Sequence, residues 1–258
     1  MSSVLMQIEN AVAIITLNRP EKLNSINRDM ALLLQQHLDE CKNSKEIRCV
    51  YLTGAGKAFC AGQDLDEIIA PGGPDVHTIL SDHLNPIIIR IRKLNKPVIA
   101  AVNGVAAGAG ANIGLCCDIV VATQSASFIQ AFSKIGLIPD SGGTFFLPRL
   151  IGLQKSLALC MLGEKVSAEE AERMGMIYRV FTDNHFKAES LKIATTLSQM
   201  PTKALELTKK ALNQAFITSF EEQLYQEELL QQEAASTYDF REGIQAFIEK
   251  RKPNFKGE

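Results

Sequence analysis

The stretch PVIAAVNGVAAGAGANIG, residues 97–114, is the strongest indicator of fold class in this 258-residue chain. It opens with an almost wholly apolar run over residues 97–102, which is typical of a strand buried on both faces of a parallel sheet. The glycine-bearing segment that follows is predicted to turn into a helix over residues 104–114. A strand that passes through a short turn into a helix is the building unit of α/β proteins.

The same order of strand, loop and helix recurs on both sides of this stretch. Alternating or continuous apolar runs predict further strands over residues 4–8, 12–17, 48–53 and 118–122, the first two forming a hairpin. Apolar residues at helical spacing predict helices over residues 28–41, after a possible N-cap at Asn27, and over residues 76–94. The sequence therefore predicts an α/β core with parallel strands.

Helical patterns dominate from about residue 184 to the end of the sequence. They cover residues 186–199, 202–216, 220–235 and 239–250. We place a boundary near Met200, which divides the chain into a core, residues 1–200, and a C-terminal helical region, residues 201–258. Because this region is short and apolar on one side, we expect it to pack on the core or on a neighbouring subunit.

Composition argues against several classes of protein. The formal net charge of −2 argues against nucleic acid or an anionic membrane as a partner. No run of about 18 apolar residues is present to span a bilayer, and no signal peptide is apparent. The six cysteines form no CxxC pair and the four histidines no HxxxH spacing, so we expect neither disulfides nor a metal site. We expect a cytoplasmic protein.

The stretch AFSKIGLIPDSGGTFFLPR, residues 131–149, contains the most informative acid of the chain. Asp140 follows an apolar run, and a carboxyl facing an apolar surround loses hydration, which makes its proton harder to remove. Such a carboxyl can take and return a proton near neutral pH. The alternative is that Asp140 caps the helix predicted to start in SGGT, residues 141–144. The segment alone leaves both roles open.

Two glycine-bearing turns, at residues 54–62 and 104–110, follow predicted strands. Neither matches the GxxxxGK[ST] or GxGxxG patterns of nucleotide-binding loops. Backbone N–H groups at two such turns could form an oxyanion hole, particularly where a turn opens a helix. The alternative is that the glycines only allow tight turns between strand and helix.

Six ordered motifs together resemble the crotonase, or enoyl-CoA hydratase/isomerase, superfamily over essentially the whole chain. They are LNRPEKLNS (17–25), LTGAGKAFCAGQDL (52–65), AVNGVAAGAGAN (101–112), IGLIPDSGGT (135–144), SAEEAERMGMI (167–177) and FREGIQAFIEKRKPNFKG (240–257). The resemblance implies a spiral of ββα units with a C-terminal α-helical trimerisation region, and a homotrimer or a hexamer built as a dimer of trimers. It also implies an acyl-CoA thioester substrate, no metal, and no cofactor apart from the coenzyme A of the substrate.

The resemblance further implies roles for individual residues. The backbone N–H groups of Ala61, in FCAG, and of Ala109, in GAGA, would hold the thioester oxygen, although the second position is commonly glycine. The segment 61–65 would contact the adenine-nucleotide end of coenzyme A, with Lys22 near the phosphates. The complete expected binding set is Lys22, Leu23, Ala61, Gly62, Gln63, Asp64, Leu65, Ala109, Asn112 and Phe132.

The expected reaction follows from where this chain departs from the family pattern. Hydratases of the family place two glutamates around the reacting carbons, and by alignment these positions are Asn112 and Phe132 here. Neither residue can act as a base, so the addition of water is disfavoured. Asp140 lies where some isomerases of the family carry an acid, and one carboxylate that removes and returns a proton suffices for an isomerase.

The resemblance is greatest to the isomerase branch that acts on ring-1,2-epoxyphenylacetyl-CoA and moves enoyl-CoA double bonds. It implies that Phe145, Phe146 and the helix over residues 83–91 line the acyl pocket, although ordinary core packing is an equal alternative. An enoyl-CoA hydratase with rearranged acids and a non-catalytic CoA-binding protein remain the alternative functions.

Overall fold

The computed structural model describes residues 2–258. Its strands are β1 Val4–Glu9, β2 Val12–Leu17, β3 Cys49–Gly54, β4 Ala58–Cys60, β5 Val98–Val102, β6 Val105–Ala107, β7 Ile119–Thr123, β8 Ser127–Ile129, β9 Lys165–Ser167 and β10 Arg179–Phe181. Its helices are α1 Arg28–Asn43, α2 Leu65–Ile69, α3 Val76–Thr78, α4 Asn85–Lys93, α5 Ala109–Leu115, α6 Gly143–Ile151, α7 Leu153–Leu162, α8 Ala168–Arg173, α9 Asp183–Ser198, α10 Thr202–Gln214, α11 Phe220–Ala235 and α12 Tyr238–Ile248.

The strands form two sheets. The larger has the order β1-β2-β3-β5-β7-β10, and the smaller has the order β4-β6-β8-β9. Pairing is antiparallel in the β1–β2 hairpin and between β8 and β9, and parallel elsewhere. Successive pairs β3–β4, β5–β6 and β7–β8 each place one strand in each sheet before the chain enters a helix. The predicted α/β fold built from ββα units is confirmed.

Residues 97–114 lie at the centre of this arrangement. All five residues of β5 are buried, as a strand covered on both faces requires. The helix predicted over residues 104–114 begins later than expected, at Ala109, because residues 105–107 instead form β6 between β4 and β8. Gly108 then turns the chain with φ +52°, a conformation that glycine adopts at little cost. The turn therefore brings the start of α5 beside the end of β4.

Two other predicted helices are confirmed with details that the pattern did not reveal. The Asn27 side chain accepts a hydrogen bond of 3.1 Å from the Met30 N–H and so caps α1. The segment predicted as one helix over residues 76–94 is helical to Lys93, but it widens to a π-helix over Ile79–Leu84 between α3 and α4. Such widened turns are frequent beside functional sites.

The C-terminal helical region contacts the core of the same chain through α10, the turn before it and the segment that follows α12. The Arg48 guanidinium donates to the carbonyls of Met200 (2.6 Å) and Phe255 (2.9 Å). The Lys209 ammonium binds the Asp118 carboxylate at 2.8 Å. The boundary proposed near Met200 falls in the turn between α9 and α10. The helical region is confirmed, and its role in trimerisation stays a prediction.

Neither a membrane span nor a metal site is found in the part of the chain that the structure describes. No helix within residues 2–258 is both long and apolar enough to cross a bilayer. Over the same residues, no three His, Cys, Asp or Glu side chains cluster in a way that could hold a metal ion.

Candidate active site

A cavity with about 730 Å³ of empty space opens between α2, the helix that begins at Val76 and the loop that precedes α6. Its lining residues are Ala61, Gly62, Gln63, Leu65, Ile68, Val76, Ile79, Leu80, Gly108, Ala109, Ala131, Phe132, Ile135, Leu137 and Asp140. Most of them are apolar. Asp140 is the one ionisable side chain in this lining, as far as residues 2–258 are concerned.

Asp140 lies in the loop between the 3₁₀ helix Ala131–Ile135 and α6, and it is half-buried. Burial raises the pKa of the Asp140 carboxyl above its ordinary value, because an apolar surround disfavours the charged form. A hydrogen bond of 2.9 Å from the Ser141 hydroxyl to Oδ1 offsets part of this increase in pKa. Asp140 therefore has the raised pKa that the sequence predicted, and its second carboxylate oxygen is free of partners within residues 2–258.

The alternative role of Asp140 as a helix cap is wrong. The N-cap of α6 is Gly142, and no side chain within residues 2–258 caps this helix. Asp140 accepts a hydrogen bond from the Gly143 N–H through its backbone carbonyl, at 2.8 Å, and not through its carboxylate. The carboxylate is therefore available for chemistry at the cavity.

The start of α5 supplies one candidate donor for an oxyanion. Ala109 is the first residue of this helix, so its N–H has no partner one turn earlier. No hydrogen bond within residues 2–258 uses this N–H, whereas the N–H of the preceding Gly108 donates to the Ile129 carbonyl at 2.9 Å. Ala109 also lines the cavity, which fits the predicted role of its amide.

The predicted role of Ala61 as the second donor does not fit the structure. The Ala61 N–H already donates to the Leu23 carbonyl at 3.0 Å, so it has no capacity left for a substrate oxygen. Two residues later, Gln63 pairs with Ile26 as in a parallel sheet. The Ile26 N–H donates to the Gly62 carbonyl at 2.7 Å, and the Ile26 carbonyl accepts from the Asp64 N–H at 2.8 Å. This pattern places the N–H of Gln63 on the opposite side of the backbone from Ile26.

The Gln63 amide is the better candidate for the second donor. No hydrogen bond in the described chain uses its N–H, and Gln63 lines the cavity. The neighbouring Gly62 lies so close to α5 that an added Cβ would be 3.4 Å from the Ala109 nitrogen. The sequence predicts Gln63 as a binding residue but not as the second donor, because a backbone donor leaves no side-chain signal. Only the strand pairing shows which amide is free.

The two positions aligned with the hydratase glutamates have different roles here. Phe132 lines the cavity, and its contact with substrate stays a prediction. Asn112 does not line it. Its side chain is fully buried, donates to the Asp140 carbonyl at 2.9 Å and accepts from the Gln130 amide at 2.8 Å. The prediction that Asn112 contacts substrate is therefore not supported, because its amide is already paired behind the loop.

The remaining predicted binding residues divide into two groups. Gly62 and Leu65 line the cavity together with Gln63. Lys22, Leu23 and Asp64 lie outside its lining. The Lys22 ammonium is exposed and pairs with Asp66 at 2.6 Å, so a position beside phosphates stays a prediction.

Leu23 and Asp64 instead hold the wall of the cavity in place. The Leu23 carbonyl accepts the Ala61 N–H, as described above. The buried Asp64 carboxylate binds Arg19 at 2.8 Å and accepts from the Asp66 N–H at 3.2 Å, which caps α2. A supporting role for Asp64 explains its burial without a contact to substrate.

The prediction that Phe145, Phe146 and residues 83–91 line the acyl pocket is wrong for this cavity. Phe145 stacks under the Arg149 guanidinium, at 3.6 Å from ring centre to Cζ, and Phe146 packs against the core. The wall is built instead by α2 and by the first turn and a half of the helix that begins at Val76. Apart from Leu65, these apolar residues follow loops with no chemical motif, so no sequence pattern singles them out.

Comparison with known proteins decides the family. The sequence model of the enoyl-CoA hydratase/isomerase family matches residues 7–258. The chain belongs to this family. It is thus a crotonase-family enzyme with hydratase or isomerase activity, and acyl-CoA thioesters are the substrates consistent with this family.

Relatives named as isomerases and relatives named as hydratases are both similar to this crotonase-family chain along its full length. It is 46% identical to 1,2-epoxyphenylacetyl-CoA isomerase of Escherichia coli K12, covering 100% of this chain and 99% of that one. It is 42% identical to a Rhodobacter capsulatus protein named probable enoyl-CoA hydratase, with coverage of 99% and 98%. The crystal structure of an enoyl-CoA hydratase from Bacillus anthracis superposes with a TM-score of 0.93 at 33% identity, covering 99% and 100%.

Proposed function

We propose that this chain is an acyl-CoA isomerase in which Asp140 alone removes and returns the proton. The observation that carries the proposal is the cavity lining, which combines one carboxyl of raised pKa with the unpaired amides of Ala109 and Gln63. A hydratase of this family needs two carboxylates around the reacting carbons. Asn112 and Phe132 occupy those positions here, and neither can activate water.

The chemistry would proceed through an enolate. Two N–H donors that bind the thioester oxygen stabilise the negative charge that develops there, each by about 3–4 kcal/mol in the transition state. The proton at C2 then becomes acidic enough for the Asp140 carboxylate to remove it. For a 3-enoyl thioester, the resulting carboxylic acid delivers the proton to C4, and the double bond moves to the 2,3 position. No atom is gained or lost, as an isomerase requires.

The proposed physiological substrate is ring-1,2-epoxyphenylacetyl-CoA, which the enzyme would convert to oxepin-CoA. The full-length similarity to a relative named for the epoxyphenylacetyl-CoA reaction supports this substrate. The largely aliphatic lining of the cavity suits an acyl group without charge. The C–C bond between the two epoxide carbons would break, with the oxygen retained in the seven-membered ring. The proton that Asp140 removes from C2 would return to a ring carbon, so no atom is gained or lost.

The proposal extends to the state in which the enzyme works. It includes a cytoplasmic homotrimer or hexamer and no cofactor apart from the coenzyme A of the substrate. Exposed apolar side chains at the start of α11 and just before it, such as Phe216, Ile217 and Phe220, support association with further copies of the chain.

Isotope exchange tests the proposal directly. The enzyme is incubated in deuterated water with a 3-enoyl-CoA and, separately, with phenylacetyl-CoA. The label is read at C2 of both compounds and at C4 of the enoyl chain. Asp140→Asn should abolish exchange while binding of coenzyme A is retained. Asp29→Asn, which changes an exposed acid in the first turn of α1, is the matched control.

Retention of exchange in Asp140→Asn would end the assignment. The hydratase alternative is tested with the same preparation, by following the loss of the enoyl absorbance of crotonyl-CoA. Rapid hydration that survives the loss of Asp140 would favour that alternative, and no change with any thioester would favour a non-catalytic CoA-binding protein.

A further inference from the structure

We propose that Asn112 is a positioning residue. It fixes the loop that carries Asp140 relative to α5, the helix that carries the Ala109 amide. This inference rests on the proposed function, because it assumes that Asp140 performs the proton transfer. Asn112 lies outside the cavity lining.

The amide of Asn112 is held in one orientation by its two partners. Its Nδ2 donates to the Asp140 carbonyl at 2.9 Å, and its Oδ1 accepts from Gln130 Nε2 at 2.8 Å. If the Asn112 amide were reversed, its NH2 group would face the Gln130 NH2 group, and its oxygen would face the Asp140 carbonyl oxygen. The observed orientation is therefore the one that satisfies both contacts. Because Asn112 is fully buried, water cannot replace either bond.

The loop that Asn112 holds has few other restraints. Residues 137–140 form no regular structure, and Ser141 and Gly142 both have positive φ, at +49° and +79°. A positive φ is unfavourable for serine, so this conformation persists only where neighbouring contacts fix it. The Asp140 carbonyl receives two such contacts, from Asn112 Nδ2 and from the Gly143 N–H.

The start of α6 is shaped around the same amide. A Cβ added to Gly143 would lie 2.4 Å from Asn112 Nδ2, so only glycine leaves room for Asn112 at this position. The contact packs the first residue of α6 directly against α5. The position of the Asp140 loop is therefore set by α5 as well as by its own sequence.

One short helix thus determines the position of both catalytic groups. Ala109 and Asn112 are the first and fourth residues of α5, with the unpaired N–H on one and the loop anchor on the other. In a thioester the carbonyl oxygen and C2 are separated by two bonds, so the amide and the carboxylate must act at a fixed spacing. A misplacement of about 1 Å can reduce the rate on the order of 100-fold.

Two variants of Asn112 test this role. Asn112→Ala removes both hydrogen bonds, and Asn112→Asp keeps the shape but removes the donor to Asp140. We expect kcat for double-bond migration in a 3-enoyl-CoA to fall by about 10- to 100-fold, with KM changed by less than about twofold. Tyr51→Phe is the control, because it removes a buried hydrogen bond to Ser190 on the other face of the large sheet, and it should leave kcat unchanged.

A double-mutant cycle separates positioning from general destabilisation. If Asn112 acts through Asp140, then Asn112→Ala should cause no further loss of the residual rate in an Asp140→Asn background. An equal loss in both backgrounds, or a normal kcat in both Asn112 variants, would overturn the inference. If Asn112→Ala does not fold, Asn112→Asp carries the test, together with Gln130→Met, which removes the partner that fixes the amide. Full activity of Asp140→Asn alone would instead refute the proposed function.

Discussion

Gly110 packs against Cys60 so closely that a Cβ on the glycine would lie 2.3 Å from the Cys60 carbonyl oxygen and 2.6 Å from its Sγ. Gly110 is the second residue of α5 and Cys60 is the last residue of β4. This contact lets the Ala109 amide approach the segment that contains Gln63. The spacing of the two candidate oxyanion donors therefore depends on the absence of one side chain.

Gly110→Ala should damage both stability and catalysis. The added methyl group has no space against backbone atoms, so we expect the free energy of unfolding to fall by about 3 kcal/mol or more. Gly114→Ala, one turn later in α5, is the matched control, since its Cβ would lie 3.4 Å from the Phe59 ring and 3.8 Å from Val102 Cγ2, both side-chain contacts with no backbone atom in the way. Urea denaturation of both variants measures the difference, and equal stabilities would contradict the close-contact account.

Ala109→Pro removes one of the two candidate oxyanion donors without removing a side-chain function. Proline is tolerated at the first position of a helix, where its missing N–H has no helical partner. We expect kcat for double-bond migration to fall by about 10²- to 10³-fold, the usual cost of one lost donor. Ala109→Gly retains the N–H and should keep most of the activity. A proline variant that folds and retains full kcat would exclude this amide from the oxyanion site.

The proposed isomerase reaction should lose its rate on acidification at a higher pH than a reaction that depends on an ordinary aspartate. Burial raises the pKa of Asp140, and the group must be ionised to remove the C2 proton. The value of kcat/KM should therefore fall as the pH drops through this raised pKa. A profile measured from pH 4 to 9 checks the expectation, and a rate that stays constant down to about pH 4 would contradict it.

Asp140→Asn should stabilise the protein at neutral pH while it abolishes proton exchange. The folded-state pKa is raised, so the folded state binds more protons than the unfolded state between the ordinary and the raised pKa. The free energy of unfolding therefore falls as the pH rises through this interval. Above the raised pKa, the buried ionised carboxylate destabilises the folded state. Asparagine cannot ionise, and we expect Tm to rise by about 2 °C at pH 8. The gain should shrink towards pH 4, and thermal melts at both pH values measure it.

Some parts of the site were predictable because side chains leave local signals. Asp140 stands out as an acid after an apolar run, and its raised pKa follows from that surround. The glycines around Ala109 signal a tight turn into a helix. In each case the chemistry depends on neighbours within a few residues, which a sequence shows directly.

Other parts depend on contacts between distant segments. Whether an amide is free is decided by the strand it pairs with, so Ala61 was assigned a role that Gln63 fits better. The Asn112 side chain was expected at the substrate, but its partners Gln130 and Asp140 lie 18 and 28 residues away along the chain. The cavity wall likewise comes from helices with no distinguishing motif.

The α/β fold, the family and the acid at Asp140 can be predicted from the sequence, because apolar periodicity, glycine turns and ordered motifs are local properties of the chain. The three-dimensional arrangement is needed to show which backbone N–H groups stay unpaired, which apolar side chains enclose the cavity and what holds the Asp140 loop. Hydrogen-bond partners and packing contacts are set by how strands and helices meet, and that meeting is a property of the whole fold.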